Sequence, residues 1–341
     1  MKRLIVFILL ILTSVTFAYP RARDAKSTFQ NGYRFSGNSG KDNATKWAQG
    51  LEELVEAGFQ IGTGDIFYVD SGVTTEGDGT SWLKAKDTID EAVNLCTANA
   101  GDVILVAQGH AETKSATGNL VTCDVAGVTI VGMGSGSLRP SITLSDPNAV
   151  AFNVDAANVT IANVYIDATG ADSVNTPIDV GAARCTIDSI EMLMADGTGQ
   201  ADTGITTSGA ANAANYLTIL NSRFVSPNAG ASEAILLEEV QEGVVIAGCY
   251  AYGDFSVAAI HNPTGKVLTN LMIKDCILKN DQTGDFALEL VSACTGFLIG
   301  NYYQGDTAAA LVDPGSCFSF ECYGVDAIDE GAFIRPAVGS P

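Results

Sequence analysis

The stretch Val159-Thr-Ile-Ala-Asn-Val164 decides the fold, because six other stretches of the chain follow the same pattern. The full set is Val128-Thr-Ile-Val-Gly-Met133, Val159-Thr-Ile-Ala-Asn-Val164, Cys185-Thr-Ile-Asp-Ser-Ile190, Leu217-Thr-Ile-Leu-Asn-Ser222, Val244-Val-Ile-Ala-Gly-Cys249, Leu271-Met-Ile-Lys-Asp-Cys276 and Phe297-Leu-Ile-Gly-Asn-Tyr302. Successive copies begin between 26 and 32 residues apart. Such a period is typical of repeated units that bury their apolar faces only against their neighbours.

The third position of every copy is isoleucine, from Ile130 in the first copy to Ile299 in the seventh. The first position is apolar and the second is threonine or apolar, as in a β-strand. The fifth position is Gly, Asn, Ser or Asp, which tolerate a left-handed backbone. Each copy is therefore predicted to be a strand, a one-residue corner and a second short strand.

Another strand is predicted before each of the later six copies, at Phe152-Asn-Val154, Ile178-Asp-Val180, Ile205-Thr-Thr207, Ile235-Leu-Leu237, Ala258-Ala-Ile260 and Leu288-Glu-Leu290. Phe318-Ser-Phe320 is expected to be a strand of this kind that opens an eighth turn. Parallel strands in βαβ units need crossover helices, and the intervals contain none. The pattern favours a coil in which like strands stack in parallel.

These repeats resemble those of right-handed parallel β-helix proteins of the pectin-lyase-like superfamily. Phe67-Tyr-Val-Asp70, Gly79-Thr-Ser-Trp82 and Gly101-Asp-Val-Ile-Leu-Val106 are similar to the N-terminal cap of secreted and phage-borne members. The resemblance implies an all-β, single-stranded solenoid of about 7–8 coils with a short N-terminal helical cap. It leaves the function open, because the superfamily includes lyases, hydrolases, adhesins and tail spikes.

The chain divides by composition into five segments: a signal peptide (1–18), a leader with a short amphipathic helix (19–64), the N-terminal cap and first coil (65–110), the parallel β-helix (111–325) and a C-terminal tail (326–341). The signal segment predicts a secreted, periplasmic or cell-surface protein, with an uncleaved signal anchor as the alternative. No later stretch reaches the roughly 18 apolar residues that a membrane span needs.

The charge is strongly acidic, with 39 Asp and Glu against 18 Lys and Arg and a net charge of −21. Such a surface repels phosphate backbones, so nucleic acid is not expected as a partner.

Glycosidase carboxyls lie about 5–9.5 Å apart, which in a coil means the same or adjacent turns. The expected outward column of the preceding strands is Asn153, Asp179, Thr206, Leu236, Ala259, Glu289 and Ser319, in which the two acids lie four turns apart. A noncatalytic protein is therefore predicted. The alternative is a polysaccharide lyase or glycoside hydrolase whose carboxylates come from turns, either Asp196 with Asp202 or Asp167 with Asp172.

The seventh position gives the column Gly134, Tyr165, Glu191, Arg223, Tyr250, Ile277 and Tyr303. If this column faces outward, Tyr165 and Tyr250 flank a stacked pair of Glu191 and Arg223. Aromatic faces cover the apolar faces of sugars while charged groups bond their hydroxyls. These four residues are the predicted glycan-binding site of a cell-surface or particle-associated module. The alternative is an ordinary ion pair shielded by tyrosines.

An outward apolar strip is expected over the C-terminal coils, formed by Leu220, Val245, Ala247, Met272 and Leu298. Such strips mark contact surfaces. Either a second subunit covers it, as in a homotrimeric spike or filament component, or the tail does so through Val325, Ile328, Phe333 and Ile334.

The loop that contains Asp70, Glu76 and Asp78 is the candidate calcium site, with an ordinary solvated loop as the alternative. Apart from calcium, no cofactor is predicted. His110 and His261, the two histidines, fall in different coils and predict no His-based site. Among the eight cysteines, Cys249 and Cys276 are expected at adjacent inward positions, as a thiol ladder or a disulfide.

Overall fold

A computed structural model describes residues 64–197, 199–306, 311–325 and 332–333. The described residues from Phe67 onward belong to one compact unit. The predicted signal peptide and the leader up to residue 63, with its helix, lie outside the described residues. Within the described residues, no helix is long and apolar enough to cross a bilayer.

Most strands of the described residues belong to three long sheets, which we call sheets A, B and C. Sheet A contains Ile66–Val69, Val103–Val106, Thr129–Gly132, Thr160–Ala162, Thr186–Asp188, Thr218–Leu220, Val245–Ala247, Leu271–Lys274, Gly296–Ile299 and Phe318–Phe320. Sheet B contains Ala111–Lys114, Ser141–Leu144, Tyr165–Asp167, Glu191–Leu193, Arg223–Ser226, Tyr250–Gly253, Ile277–Asn280, Tyr302–Gln304, Tyr323–Val325 and Ala332–Phe333. Sheet C contains Gly118–Cys123, Ala149–Val154, Ile178–Val180, Thr203–Thr207, Glu233–Leu236, Ala258–His261, Phe286–Leu290 and Val312–Pro314.

The sheets alternate along the chain, so that each full turn contributes one strand to each of them. Neighbouring strands pair in parallel, except at the last strand of sheet B. A two-stranded ribbon, Gln241–Glu242 with Leu268–Thr269, lies between turns. The predicted right-handed parallel β-helix is confirmed, with about eight turns.

The isoleucine spine is confirmed for six turns, in which the isoleucines pair directly with one another on sheet A. Its members are fully buried: Ile130, Ile161, Ile187, Ile219, Ile246 and Ile273. The predicted register is wrong in the seventh copy, where Leu298 pairs with Ile273 and Ile299 pairs with Lys274. Leu298 is the buried residue there, and Phe297 turns outward. This copy begins at Gly296, one residue before the predicted start.

The predicted corners between sheets A and B have positive φ angles in the later copies. They are Asn163, Ser189, Asn221, Gly248, Asp275 and, in the corrected register, Gly300. A side chain tolerates this backbone only at some steric cost, which explains the choice of short polar residues and glycine.

Two residues of the predicted outward column of sheet C, Ser319 and Ala259, are wrong. Phe318–Phe320 pairs with Gly296–Ile299, so it is an eighth copy of the repeat on sheet A, and Ser319 is buried. The sheet C strand of that turn is Val312–Pro314, and Asp313 pairs with Glu289 in the column. In the turn before Glu289 the column residue is His261, because it pairs with Leu236 on one side and Glu289 on the other, whereas Ala259 is buried.

The interior of the later turns contains polar side chains that bond the backbone. Asn301 Nδ2 donates to the Ile273 carbonyl at 2.8 Å, and Asn301 Oδ1 accepts from the Cys276 N–H at 2.9 Å. All eight cysteines lie in the described residues as free thiols, so the Cys249–Cys276 pair is a thiol ladder. Burial raises the pKa of Cys317 to about 12, which keeps that thiol protonated.

The N-terminal turn carries a short helix, Ile89–Val93, whose buried residues pack against Val103–Val106 of sheet A and Gly118–Cys123 of sheet C. His110 fixes this end through both ring nitrogens. Its Nδ1 accepts from the Ser71 N–H at 2.9 Å and its Nε2 donates to Glu112 at 2.7 Å. Glu112 also accepts from the Ile89 N–H, which ties the helix to sheet B.

The C-terminal strand Ala332–Phe333 pairs antiparallel with Tyr323–Val325 at the end of sheet B. Val325 itself belongs to that sheet rather than to the tail. The predicted tail residues Ile328 and Ile334 lie outside the described residues. The pairing therefore places the described part of the tail on sheet B, not on the outer face of sheet A.

Candidate functional site

The outer face of sheet B brings together the four predicted glycan-binding residues. Tyr165, Glu191, Arg223 and Tyr250 are successive register partners on four neighbouring strands. Each begins its strand two residues after a corner residue such as Asn163 or Ser189. The corner turns the chain from sheet A into sheet B, so the same point of every turn projects from the same face. The stacked column is as predicted.

The column continues toward the C-terminus through Ile277, Tyr302 and Tyr323. The predicted member Tyr303 is wrong, because it is fully buried and the adjacent Tyr302 is the register partner of Ile277. Burial also raises the pKa of Tyr303 well above its usual value. The error arises because the seventh copy begins at Gly296, one residue before its predicted start.

Glu191 is held by two arginines rather than one. Arg223 Nη1 donates to Oε1 at 2.9 Å and Arg139 Nη1 donates to Oε2 at 3.2 Å. The repeat pattern does not predict Arg139, because this residue follows the short 3₁₀ helix Gly136–Leu138 and lies at no position of the repeat. Two guanidinium groups therefore contact this one carboxylate.

The arginine and the tyrosine next to it also interact. The Arg223 guanidinium carbon lies 5.6 Å from the centre of the Tyr250 ring, in the range of a cation–π contact. At the other end of the column, burial and the nearby carboxylates of Asp167 and Glu191 raise the pKa of Tyr165. Its hydroxyl therefore stays protonated at neutral pH and can donate a hydrogen bond.

A second column runs beside the first on the same face, two residues further along each strand. It contains Asp167, Leu193, Val225, Tyr252, Lys279 and Gln304. The Lys279 ammonium lies 5.2 Å from the centre of the Tyr252 ring. The two columns together form one outer face along the coil axis, on which tyrosines, an arginine and a lysine lie among carboxylates and aliphatic side chains.

The four carboxylates of the enzymatic alternative occupy different surroundings, and the prediction that all of them lie in turns is wrong for Asp167, which ends the strand Tyr165–Asp167. Asp167 accepts bonds from the backbone and hydroxyl of Thr169, whereas Asp172 is exposed. Asp202 is half-buried, and burial together with the Glu233 carboxylate raises its pKa. Asp196 lies in an exposed turn, where it accepts from the Gly199 N–H.

The three predicted calcium ligands have separate contacts. Asp70 accepts from the Gly72 N–H, Asp78 pairs with Lys84 at 3.0 Å, and Glu76 pairs with Lys86. The hydrogen bonds from Thr80 and Lys84 lower the pKa of Asp78 to about 2. Among the described residues, the carboxylates close enough to share a cation are instead Glu76, Asp87 and Glu91. The Asp87 carboxyl raises the pKa of Glu91 in that group, because two adjacent acids resist ionising together.

The structure also brings His261 close to two carboxylates, Glu233 and Glu289, which lie on the neighbouring turns of sheet C. The sequence predicted no such cluster, because it placed Ala259 instead of His261 in the outward column of sheet C. The alternation of inward and outward residues fails in sheet C because each of four neighbouring strands contains a small residue that is buried. These residues are Gly204, Ala234, Ala259 and Ala287.

Comparisons with known proteins concern the fold. No protein-family profile matches the chain, and no curated protein matches its sequence. Among solved structures the chain is similar to the pectate lyase Pel9A, with a TM-score of 0.52, 11% identity and 78% of each chain covered. It is also similar to an alginate lyase from Paenibacillus sp. str. FPU-7, with a TM-score of 0.33 and 14% identity over 69% of this chain and 92% of that chain. The likeness to Pel9A shows the fold alone, a parallel β-helix.

Proposed function

We propose that the protein is an exported, noncatalytic β-helix module that binds glycans at a cell or particle surface through the outer face of sheet B. The observation that carries the proposal is the continuous register of Tyr165, Glu191, Arg223 and Tyr250. Aromatic rings in line with paired ionic groups are a combination that suits sugar rings and their hydroxyls. The export part rests on the signal segment at residues 1–18.

The charge of the face favours an acidic glycan. Arg139 and Arg223 at Glu191, together with Lys279, outnumber the two carboxylates of this face, Glu191 and Asp167. The rest of the chain, with a net charge of −21, would repel an anionic polymer. An anionic chain would therefore be held on sheet B and kept from other surfaces.

A glycan array probed with the purified protein tests the proposal. Replacing Tyr165 and Tyr250 together with alanine should abolish binding and leave the unfolding temperature nearly unchanged, since both rings stand on the outer face. Tyr216→Ala is the matched control, because Tyr216 is 43% exposed and faces a different arginine, Arg184, at 5.4 Å. Binding that survives the double substitution would remove sheet B as the binding face.

The enzymatic alternative is tested on the same protein. Acidic polysaccharides are incubated with it, with and without calcium, and the products are examined for new reducing ends and unsaturated sugars. No product is expected. Product that Asp202→Asn or Asp167→Asn removes would replace the noncatalytic proposal with a lyase or hydrolase.

A second candidate function, a structural spike or filament component, is favoured by the outer face of sheet A. The predicted strip members Ala247 and Leu298 are buried, but Phe297 and Phe318 take the place of Leu298, 46% and 57% exposed, with ring centres 5.9 Å apart. Phe320 is 55% exposed beside them. Sedimentation of the purified protein separates a monomer from a homotrimer, and in the second case Phe318→Ser should shift the trimer toward monomer.

A further inference from the structure

His110 is a buried histidine whose protonation state is fixed by its neighbours. The side chain is fully buried, and its Nδ1 accepts from the Ser71 N–H at 2.9 Å. A backbone N–H can only donate, so Nδ1 has no proton in this arrangement. The ring proton is therefore on Nε2, which donates to Glu112 Oε1 at 2.7 Å. The ring in this structure is the neutral form.

Glu112 joins the ring to the helix of the N-terminal turn. Its side chain is 6% exposed, and its Oε1 also accepts from the Ile89 N–H at 2.9 Å, at the first residue of the helix Ile89–Val93. A protonated His110 would keep the contact with Glu112, and the contact would become stronger because it would then join opposite charges. The buried ring therefore has a counter-charge for a second proton.

Ser71 is the contact that a second proton removes. Its N–H donates to Nδ1 of His110, and its Oγ accepts from the Ala111 N–H at 3.0 Å. These two bonds attach the loop that follows Ile66–Val69 to the first strand of sheet B. With a proton on Nδ1, two donors would face each other in a buried site, which is unfavourable. The Ser71 N–H must then move away.

Glu112 is the charged side chain that contacts the ring, among the residues that the structure describes. The neighbouring strands Val103–Val106 and Ser141–Leu144 contain no charged residue. The charged side chains of the loop and of the helix segment bond groups other than the ring, and they include Asp70, Glu76, Lys86, Asp87, Asp90 and Glu91. The response of this site to acid therefore depends on His110 and Glu112.

We propose that His110 is an acid-sensitive latch that holds the loop at Ser71 to the first turn of the coil. The neutral ring keeps Ser71 in place. A proton from solvent on Nδ1 releases the Ser71 N–H, whereas Glu112 keeps its bonds to the ring and to Ile89. Histidine is the side chain whose ordinary titration lies between about pH 5 and pH 8. The loop therefore detaches in mild acid while the helix stays attached.

The position of the latch gives it a consequence for the whole coil. Each turn of a repeat protein is stabilised by its neighbours, so an end turn has one neighbour fewer and depends on its cap. Ser71 directly follows the first strand of sheet A, and that strand has a partner on one side among the described strands. Release of Ser71 therefore loosens the N-terminal end of the coil first.

Hydrogen exchange of backbone amides in the purified full chain, followed by NMR, tests the latch. Between about pH 8 and pH 5, the protection of the Ser71 N–H should fall at least about tenfold after correction for the intrinsic pH dependence of exchange. The Ile89 N–H should keep its protection, because it donates to Glu112 with either form of the ring. Equal losses at Ser71 and Ile89 would mean that the whole turn opens in acid, and would overturn the latch.

A pair of substitutions assigns the effect to one ring. His110→Gln keeps a side chain that can accept from Ser71 but cannot titrate, so the pH dependence of Ser71 protection should disappear. His261→Gln is the matched control, because His261 is the other histidine of the chain and lies on sheet C, and it should leave that dependence unchanged. Dependence that persists in a folded His110→Gln protein would overturn the proposal.

The unmodified chain decides the question where His110→Gln fails to fold. The ring nitrogen resonances of His110 should show the proton on Nε2 at about pH 8, and their titration should coincide with the loss of Ser71 protection. Three results would each overturn the latch: a neutral ring with its proton on Nδ1, a ring that does not titrate above about pH 5, or a Ser71 N–H that stays protected after the ring has titrated.

Discussion

The inner and outer faces of the same strands follow different rules. In the strand Thr186–Asp188, Ile187 is fully buried, and its register partners on both sides are isoleucines. The outward residue before it is threonine in the early turns, then Val245, Met272, Phe297 and Phe318 in the later ones. The interior repeats because each turn must bury itself against the next. The outer face changes from threonine to large apolar residues along the coil, because stacking does not require one residue type there.

The largest effect is expected inside. Ile187→Ala should lower the free energy of unfolding by about 2–5 kcal/mol, because it leaves a cavity between two stacked isoleucines. The midpoint of urea unfolding, followed by circular dichroism, measures the loss.

Thr186→Ala is the control, since its side chain stands on the outer face of the same strand. Its effect should stay within about 0.5 kcal/mol. Similar losses at the two positions would mean that the inner and outer faces do not differ in the way their sequences indicate.

The repeat made the fold predictable, but it did not fix every register. Six isoleucines determine six turns, whereas Leu298 and Ile299 both fit an inward position, and only the pairing of Gly296 with Leu271 decides between them. Because the predicted register was one residue off, Tyr303 was predicted for the column position that Tyr302 occupies. Stacked turns place equivalent positions side by side, so the column from Tyr165 to Tyr250 could be predicted from the spacing alone.

The parts that could not be predicted depend on residues outside the repeat. Arg139 reaches Glu191 from a loop two turns away, and no periodic pattern marks it. His261 joins Glu233 and Glu289 because buried small residues, such as Ala234 and Ala259, break the alternation of sheet C. Both cases concern where long polar side chains meet, which strand patterns do not encode.

A smaller effect is expected where the interior is polar. Asn280 is fully buried, and its Nδ2 donates to the carbonyls of Phe255 and Phe286 while its Oδ1 accepts from the N–H groups of Phe255 and Gln282. Asn280→Ala should cost about 2–3 kcal/mol, because buried backbone groups lose their partners. Urea unfolding measures it, with the exposed Asn119→Ala as control. A loss no larger than that of the control would show that water replaces the amide.

The smallest effect is expected on the outer face of sheet C, at Asp179. Burial raises the pKa of this carboxyl and the nearby Asp155 adds to the shift, so the folded protein binds the proton more tightly than the unfolded chain does. Stability from this group is therefore present at acid pH and is lost as the pH rises from the unfolded pKa through the higher folded one. Asp179→Asn removes the stability loss that ionisation of this carboxyl causes, and it should raise the unfolding temperature at pH 7 by about 1–2 °C.

The sign of the pH dependence separates this cause from a general change in packing. The gain from Asp179→Asn should shrink as the pH falls and approach zero below about pH 3, where the carboxyl is protonated in both states. Asp172→Asn, at an exposed turn, provides the comparison and should not show this trend. If the rise in unfolding temperature stays constant across the pH range, its cause is the packing of the amide and not the charge of the carboxylate. A gain that disappears in acid would show that the ionised Asp179 carboxylate costs stability in the folded protein.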